Sequence, residues 1–273
     1  MSGVILALVE HPETAPRTLA AARTMAGLMG GARINVLAIR TPPESTIMPT
    51  EEVLTRHQIA DLRARDQARV AGVQAAFEAW LPAARAPGVA IEWADIEGLA
   101  DTLVAEWGRR SDFIVLNRPA RRDGAADRLE LQAALFDTDR PVLLVPPGPI
   151  AEFGDRVAIA WRDDDKRTVR ALLSAIRLFG KAKQVHVLAG VRDGAPAPGM
   201  PAILAEHGIA ATLHVLPLGA GVFGAAVLAK AHHLGADMLV MGAYTHSAWR
   251  ELLLGGVTQH MIAQTDLPVL MRH

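Results

Sequence analysis

The sequence contains no cysteine and few aromatic residues. Aromatic side chains make up 4% of the 273 residues, whereas hydrophobic residues make up 51%. A core must therefore consist mainly of Ala, Val, Leu and Ile, which suits helices that pack closely on a sheet. The absence of cysteine excludes disulfides, thiolate metal ligands and a cysteine nucleophile, and it is compatible with a reducing cytosol.

Net charge and long apolar runs are lacking too. The formal charge is −1 at pH 7, so no positive field exists to hold a nucleic acid backbone. No segment approaches the roughly 18 to 20 apolar residues of a membrane helix, and the opening MSGVILALVE is typical of a strand rather than a signal peptide. We expect a cytoplasmic protein that binds neither nucleic acid nor membrane.

Several catalytic motifs are also missing. The sequence contains no GxxxxGK[ST], no GxSxG, no HExxH and no GxGxxG after a first strand. No nucleophile, base and orienting acid stand together at a common site. We therefore expect neither a dedicated catalyst nor a metal centre.

The two halves of the sequence repeat one pattern. SDFIVLNRPARR and DRPVLLVPPG in the first half correspond to ADMLVMGAYTHS and DLPVLMRH in the second, at offsets of 125 and 127 residues. The length also exceeds that of most single cores. The prolines and glycines of residues 146–155 predict a boundary between domains 1–148 and 154–273. We expect the two domains to form an intramolecular pseudo-dimer, with a further homodimer as an open alternative.

Strand-like and helix-like segments alternate through both halves, which predicts α/β domains. The predicted strands are 4–9, 33–39, 89–94, 112–117 and 141–145, then 156–161, 184–189, 211–216, 237–242 and 268–272. The predicted helices of the first half are 14–29, 51–80, 98–110 and 126–136. The expected fold is two tandem doubly wound domains, each with a five-stranded parallel sheet and helices on both faces.

A glycine-rich segment from Gly242 to Thr258 follows the fourth strand of the second half. In doubly wound sheets the ligand crevice lies at the carboxyl ends of the strands, where the winding direction reverses. Glycines between a strand and a helix let backbone amides approach a phosphate closely. The segment is therefore a candidate phosphate-binding loop.

This segment resembles the ATP-binding motif of the universal stress protein family. The family carries glycines at the positions of Gly242, Thr245 and Gly255, and a Ser or Thr at that of Gly256. The likeness also covers the strand order of both halves and the closing Pro-Val-Leu pattern. It implies a tandem universal stress protein with an adenine nucleotide alpha hydrolase-like fold. Such a protein is expected to be regulatory or protective, with ATP, accompanied by Mg²⁺, in its second domain.

The resemblance also implies which residues would hold the nucleotide. The loop and the start of the following helix would hold the phosphates, while the first and second strands of that half would hold the base. The implied residues are Ala160, Trp161, Asp163, Val187, Met241, Gly242, Thr245, His246, Gly255, Gly256, Val257 and Thr258.

Three positions depart from the family pattern. Thr245 replaces a glycine, and Gly256 replaces a hydroxyl residue whose part Thr258 would take. Arg162 stands where the family has an Asp, with Asp163 one residue later, and acids at 163–165 are typical of a helix N-cap and first turn. The alternatives to ATP binding are an interaction module with a decayed site and a slow ATP hydrolase or nucleotidyl transferase.

The first half lacks the glycine-rich loop. Its first strand ends in Glu10-His11 rather than an Asp, and Asn117 stands where Gly242 stands in the second half. Arginines at 118, 121 and 122 could bind a phosphate but are typical of a solvated loop. We expect this half to bind no nucleotide.

Overall fold

A computed structural model describes residues 3–43, 55–119, 125–162, 166–218, 223–243 and 256–273. Strands and helices alternate along these residues, which confirms the predicted α/β class. The chain divides into two compact units, Met1–Thr138 and Asp139–His273. No helix in the described ranges combines the length and hydropathy needed to cross a bilayer.

Unit 1 contains four parallel strands in the order β3-β2-β1-β4. Its strands are β1 (Gly3–Leu8), β2 (Ala32–Arg40), β3 (Val89–Glu97) and β4 (Phe113–Asn117), and its helices are α1 (Ala15–Leu28), α2 (Arg56–Ala84), α3 (Ala100–Arg109) and α4 (Ala125–Phe136). The chain runs outward from β1 to β3 and returns past β1 to β4, so the winding direction reverses between β1 and β4. Right-handed crossovers then place α1 and α2 on one face and α3 on the other.

The core of unit 1 is built from aliphatic strands and alanine-rich helices. Every residue of β4 is buried, and α1 buries Ala15, Leu19, Ala22 and Ala26 at helical spacing. Small side chains on α1 let its backbone approach the sheet. One of the few aromatic contacts stacks Phe77 on Trp93 with ring centroids 5.1 Å apart. The aliphatic core expected from the composition is therefore present.

Unit 2 contains the predicted five-stranded parallel sheet, in the order β8-β7-β6-β9-β10. Its strands are β5 (Val142–Val145), β6 (Arg156–Trp161), β7 (Gln184–Val191), β8 (Thr212–Pro217), β9 (Met238–Gly242) and β10 (Val269–Arg272), and its helices are α5 (Lys166–Ala175), α6 (Ala202–Glu206), α7 (Phe223–His233) and α8 (Gly256–Gln264). The winding direction reverses between β6 and β9, as it does between β1 and β4. The carboxyl ends of these two strand pairs are where a ligand crevice is expected.

Strand β5 adds a sixth, antiparallel member to this sheet. Leu143 of β5 lies opposite Leu270 of β10. The unit therefore begins at Asp139, before the proline- and glycine-rich boundary predicted at 146–155. Prolines and glycines interrupt local periodicity, but they do not indicate which strand β5 pairs with. The observed units and the predicted domains, 1–148 and 154–273, thus differ in the placement of this strand.

Candidate functional site

The carboxyl ends of β6 and β9 lie side by side in unit 2. Ala160 of β6 is in register with Met241 of β9 and, on the other side, with Leu188 of β7. Trp161 ends β6 and Gly242 ends β9. Four of the predicted nucleotide-binding residues, Ala160, Trp161, Met241 and Gly242, therefore meet at the edge where the winding reverses.

Most of the predicted strand residues in this region are buried. Val187 of β7 is 0% exposed and Met241 is 1% exposed. Trp161 is also buried, whereas Ala160 is half-buried. Among these four residues, Ala160 thus offers the most accessible side chain to a base, and the others pack beneath the edge.

The first turn of α8, at the end of the glycine-rich segment in the sequence, provides backbone amides. The helix begins at Gly256, which is exposed, and a methyl group added there would meet no atom of the described residues within 4 Å. Val257 is half-buried, and Thr258 is 0% exposed. The N–H groups of a first helical turn have no partner within the helix. Any phosphate contact from this turn would therefore come from the amides of Gly256 and Val257, because the Thr258 hydroxyl does not reach solvent.

Four of the residues implied by the resemblance lie outside the described residues. They are Asp163, Thr245, His246 and Gly255. Their assignment to a nucleotide site stays a prediction.

The corresponding edge of unit 1 is filled by polar side chains. Asn117 ends β4, 125 residues before Gly242 ends β9, and its side chain is buried. The Asn117 amide nitrogen donates to the Thr18 hydroxyl at 2.7 Å, and its amide oxygen accepts from Arg17 Nε at 2.7 Å. Asn117 thereby ties β4 to α1 at the place where unit 2 has a glycine.

Glu10 and Glu130 meet at this edge. Glu10 follows β1 and is 8% exposed, and Glu130 of α4 is 6% exposed. Each carboxyl group affects the pKa of the other, and the Asn117 side chain lowers that of Glu10. Burial raises the pKa of Glu10 and, together with the neighbouring Glu10, raises the pKa of Glu130 well above its ordinary value.

An ion pair lies beside these two carboxyl groups. His11 Nε2 is 3.3 Å from Asp127 Oδ1. The neighbouring Asp127 carboxylate raises the pKa of His11, against the opposing effect of burial. The pair places one further acid and one base at the same edge of unit 1.

Arg69 of α2 covers the ends of β1 and β2. Its guanidinium donates to the backbone oxygen of Glu10 and, at 2.6 Å, to that of Ile39. It also forms an ion pair with Asp66 at 2.8 Å. Two backbone carbonyl groups at the ends of β1 and β2 are therefore bonded to a side chain of the same unit.

The sequence predictions missed most of this cluster. Glu10 and Asn117 were noted only as departures from the family pattern, while Arg17, Arg69, Asp127 and Glu130 were not identified. One signal was present, because Glu10 directly follows an apolar run, and a carboxyl group that is buried at such a position needs a polar partner. Nothing in the sequence indicates that the partner lies 120 positions later, at Glu130.

Comparison with known proteins identifies a family for the C-terminal part of the chain. Residues 220–273, which include β9, the glycine-rich segment, α8 and β10, match the model of the Universal stress protein family. The resemblance read from the sequence is thereby confirmed. No curated protein matches the sequence.

Solved structures extend the likeness in fold to the whole chain. A universal stress protein from Archaeoglobus fulgidus DSM 4304 has a TM-score of 0.69 at 18% identity, covering 100% of this chain and 96% of its own. A putative universal stress protein from Pseudomonas aeruginosa UCBPP-PA14 has a TM-score of 0.60 at 18% identity, covering 99% and 93%. At these identities the comparison establishes the fold, which is that of universal stress proteins.

Proposed function

We propose that this chain, whose C-terminal segment matches the universal stress protein family and whose fold is that of the family, binds ATP in unit 2. The bound nucleotide would bring Mg²⁺ with it, since that ion is usually held largely by phosphates and water. The chain would act in the cytoplasm as a regulatory or protective stress-response protein rather than as a dedicated catalyst.

The start of α8 carries this proposal. Helix N-termini attract anions, because their first N–H groups lack partners and the helix dipole is positive there. Among the described residues, no atom lies within 4 Å of the place where a side chain of residue 256 would begin. Strand β9 ends at Gly242, so the glycine-rich segment joins the switch point of the sheet directly to this helix end.

The remaining residues then take separate roles. The amides of Gly256 and Val257, with Thr245, His246 and Gly255 of the loop, would hold the phosphates. Ala160 and Trp161 would contact the base, while buried Val187 and Met241 support that surface from below.

We propose that unit 1 binds no nucleotide. The Glu10 and Glu130 carboxyl groups occupy the edge that corresponds to the unit 2 site, and Arg69 is bonded to the strand-end carbonyls. A negative charge on this carboxyl pair would also repel phosphates. The two units would therefore differ in function although they share a fold.

Calorimetric titration of the full chain with ATP and Mg²⁺ tests the unit 2 site. Gly256→Ala adds one methyl group that meets no atom of the described residues within 4 Å, so it should leave folding intact but weaken ATP binding at least about tenfold, or ~1.4 kcal/mol. Gly180→Ala is the matched control, because a methyl group there also meets no atom within 4 Å. Equal affinities of the two variants would remove the start of α8 from the site.

The second candidate is an interaction module whose nucleotide site has decayed. Burial of Val187 and Met241 favours it, since neither offers accessible surface to a base in this conformation. A ligand that binds the native state must raise the melting temperature. An unchanged melting temperature in millimolar ATP would therefore support the interaction module. Homodimer formation, which the sequence leaves as an open alternative, is measurable on the same samples by sedimentation equilibrium.

A further inference from the structure

His186 and His214 bring two ring nitrogens together on the sheet of unit 2. His186 of β7 is in register with Thr212 of β8, and His214 lies two residues further along β8. Residues at this spacing point to the same face of a sheet. His214 Nε2 lies 3.2 Å from His186 Nδ1, and the ring centroids are 5.2 Å apart with the planes inclined at 57°. The pairing of the strands therefore holds one nitrogen of each ring close to the other.

The spacing of these nitrogens suits two ligands of one metal ion. Imidazole nitrogens bind Zn²⁺ at about 2.0–2.1 Å, and two of them in tetrahedral geometry lie about 3.3–3.4 Å apart. The observed separation of 3.2 Å therefore requires only a small movement of the rings. A hydrogen bond between the rings uses the same two nitrogens and places one proton between them. A metal ion would take the place of that proton.

The pair is accessible through His214. His186 is 9% exposed, whereas His214 is half-buried and lies on β8, the outer strand of the unit 2 sheet. In the described part of the chain, no third His, Cys, Asp or Glu completes a metal-binding cluster with them. An ion bound here would thus have two protein ligands and would keep water or an anion in its other positions.

The described charged groups that act on the pair are basic. Lys230 acts on both rings, Arg156 on His186, and His233 on His214. Burial lowers the pKa of both paired histidines, and the Lys230 charge lowers it further, so both rings are in the neutral form that binds metals at neutral pH. The ligand type favours Zn²⁺, Ni²⁺ and Cu²⁺ over Mg²⁺ and Ca²⁺, because the latter two prefer oxygen ligands.

We propose that His186 Nδ1 and His214 Nε2 bind one transition-metal ion of the Zn²⁺, Ni²⁺ or Cu²⁺ class, with water or an anion in the remaining positions. The ring that donates in the metal-free pair then carries its proton on its other nitrogen, so binding releases no proton from the neutral pair. Among the described residues, the Nε2 atom of His186 has no hydrogen-bond partner. No such bond therefore fixes the tautomer of this ring.

This metal site is separate from the site proposed for ATP. His186 is in register with Ala158 of β6, three residues before Trp161 at the carboxyl end of that strand. The sequence predicted no metal centre, because the two ligands lie 28 positions apart and belong to no contiguous metal-binding motif. Metal binding by the pair is thus expected with or without a nucleotide in unit 2.

Calorimetric titration with zinc chloride tests this site in the full chain, after treatment with a chelator and in the absence of nucleotide. His186→Gln and His214→Gln should each weaken the tightest Zn²⁺ binding at least about tenfold, because each removes one of two ligands. His207→Gln alters an exposed histidine of the same unit and should leave the affinity unchanged. Equal affinities in the original chain and all three variants would overturn the proposal.

Nuclear magnetic resonance of the histidine rings identifies the ligand atoms directly. Saturating Zn²⁺ should shift the resonances of His186 Nδ1 and His214 Nε2 together, while those of His207 stay in place. The measurement needs only the original chain, so it decides even if a variant fails to fold. Saturation with Zn²⁺ without a shift of these two nitrogens would show that the pair is not a metal site.

Discussion

Asp112 and Asp237 occupy equivalent places in the two units and make the same kind of contact. Asp112 Oδ2 accepts from the backbone nitrogen of Val4 at 2.7 Å, at the start of β1. Asp237 accepts from Gly154 at 2.7 Å and from Arg156 at 3.0 Å, at the start of β6. The two aspartates are 125 residues apart, as are β4 and β9. The internal repeat therefore extends to individual hydrogen bonds that fix the first strand of each unit.

Replacing Asp237 with alanine should destabilise unit 2. The substitution leaves two backbone N–H groups without their carboxylate acceptor, and we expect a loss of about 1–3 kcal/mol in the free energy of unfolding. Urea denaturation measures this loss. Asp193→Ala, at an exposed position of the same unit, is the control and should change the stability by less than about 0.5 kcal/mol.

A histidine pair makes unit 2 sensitive to acid. His214 Nε2 lies 3.2 Å from His186 Nδ1, a contact that requires at least one neutral ring. Burial lowers the pKa of both histidines, and the nearby Lys230 charge lowers them further. The unfolded chain thus binds more protons, so stability is present above about pH 6.5 and is lost as the pH falls below it.

Substitution of His186 should reduce this acid sensitivity. We expect the melting temperature of the original chain to fall between about pH 7.5 and about pH 5.5, and the fall to be at least about 2 °C smaller in His186→Gln. His207→Gln alters an exposed histidine at the C-terminal end of α6 and serves as the control. If the two variants lost stability in parallel, the histidine pair would not be the cause.

Arg69 should be essential for holding α2 on the sheet of unit 1. Arg69→Met keeps most of the apolar stem but removes the donors to the Glu10 and Ile39 carbonyls, so we expect a loss of about 2–3 kcal/mol. Arg65→Met alters an exposed arginine of the same helix and should be nearly neutral. Chemical denaturation of both variants measures their free energies of unfolding, and equal values would contradict the role assigned to Arg69.

Two adjacent glycines should differ in their tolerance of a methyl group. Gly31 has a φ of +121°, and an added Cβ would lie 2.8 Å from the Gly88 carbonyl oxygen. Gly30 has a φ of +74° and open space around it. We expect Gly31→Ala to cost at least about 2 kcal/mol and Gly30→Ala about 1 kcal/mol, measured by thermal unfolding. The reverse order would show that the backbone here relaxes.

Much of the fold could be predicted from local pattern. The buried strands β4 and β9 are short apolar runs, and the structure places them within one residue of their predicted positions. Their equal spacing in the two halves also revealed the repeat. Local pattern does not report which strand pairs with which, so the antiparallel partner of β10 could not be predicted.

The candidate sites were less accessible to sequence analysis. The motif around Gly242 and Gly256 is contiguous and could be matched to a family. The Glu10–Glu130 pair joins positions far apart in the chain, and its significance depends on burial of both carboxyl groups. The same argument applies to the His186–His214 pair, whose members lie on neighbouring strands.

The pairing of β5 with β10 has a practical consequence for dissecting the protein. A fragment that starts at residue 154 would omit β5 and leave the outer edge of β10 without its ladder partner. An open strand edge of this kind recruits strands from other molecules and promotes aggregation. A fragment that starts at Asp139 retains the ladder between β5 and β10, so it keeps every strand pairing described for unit 2.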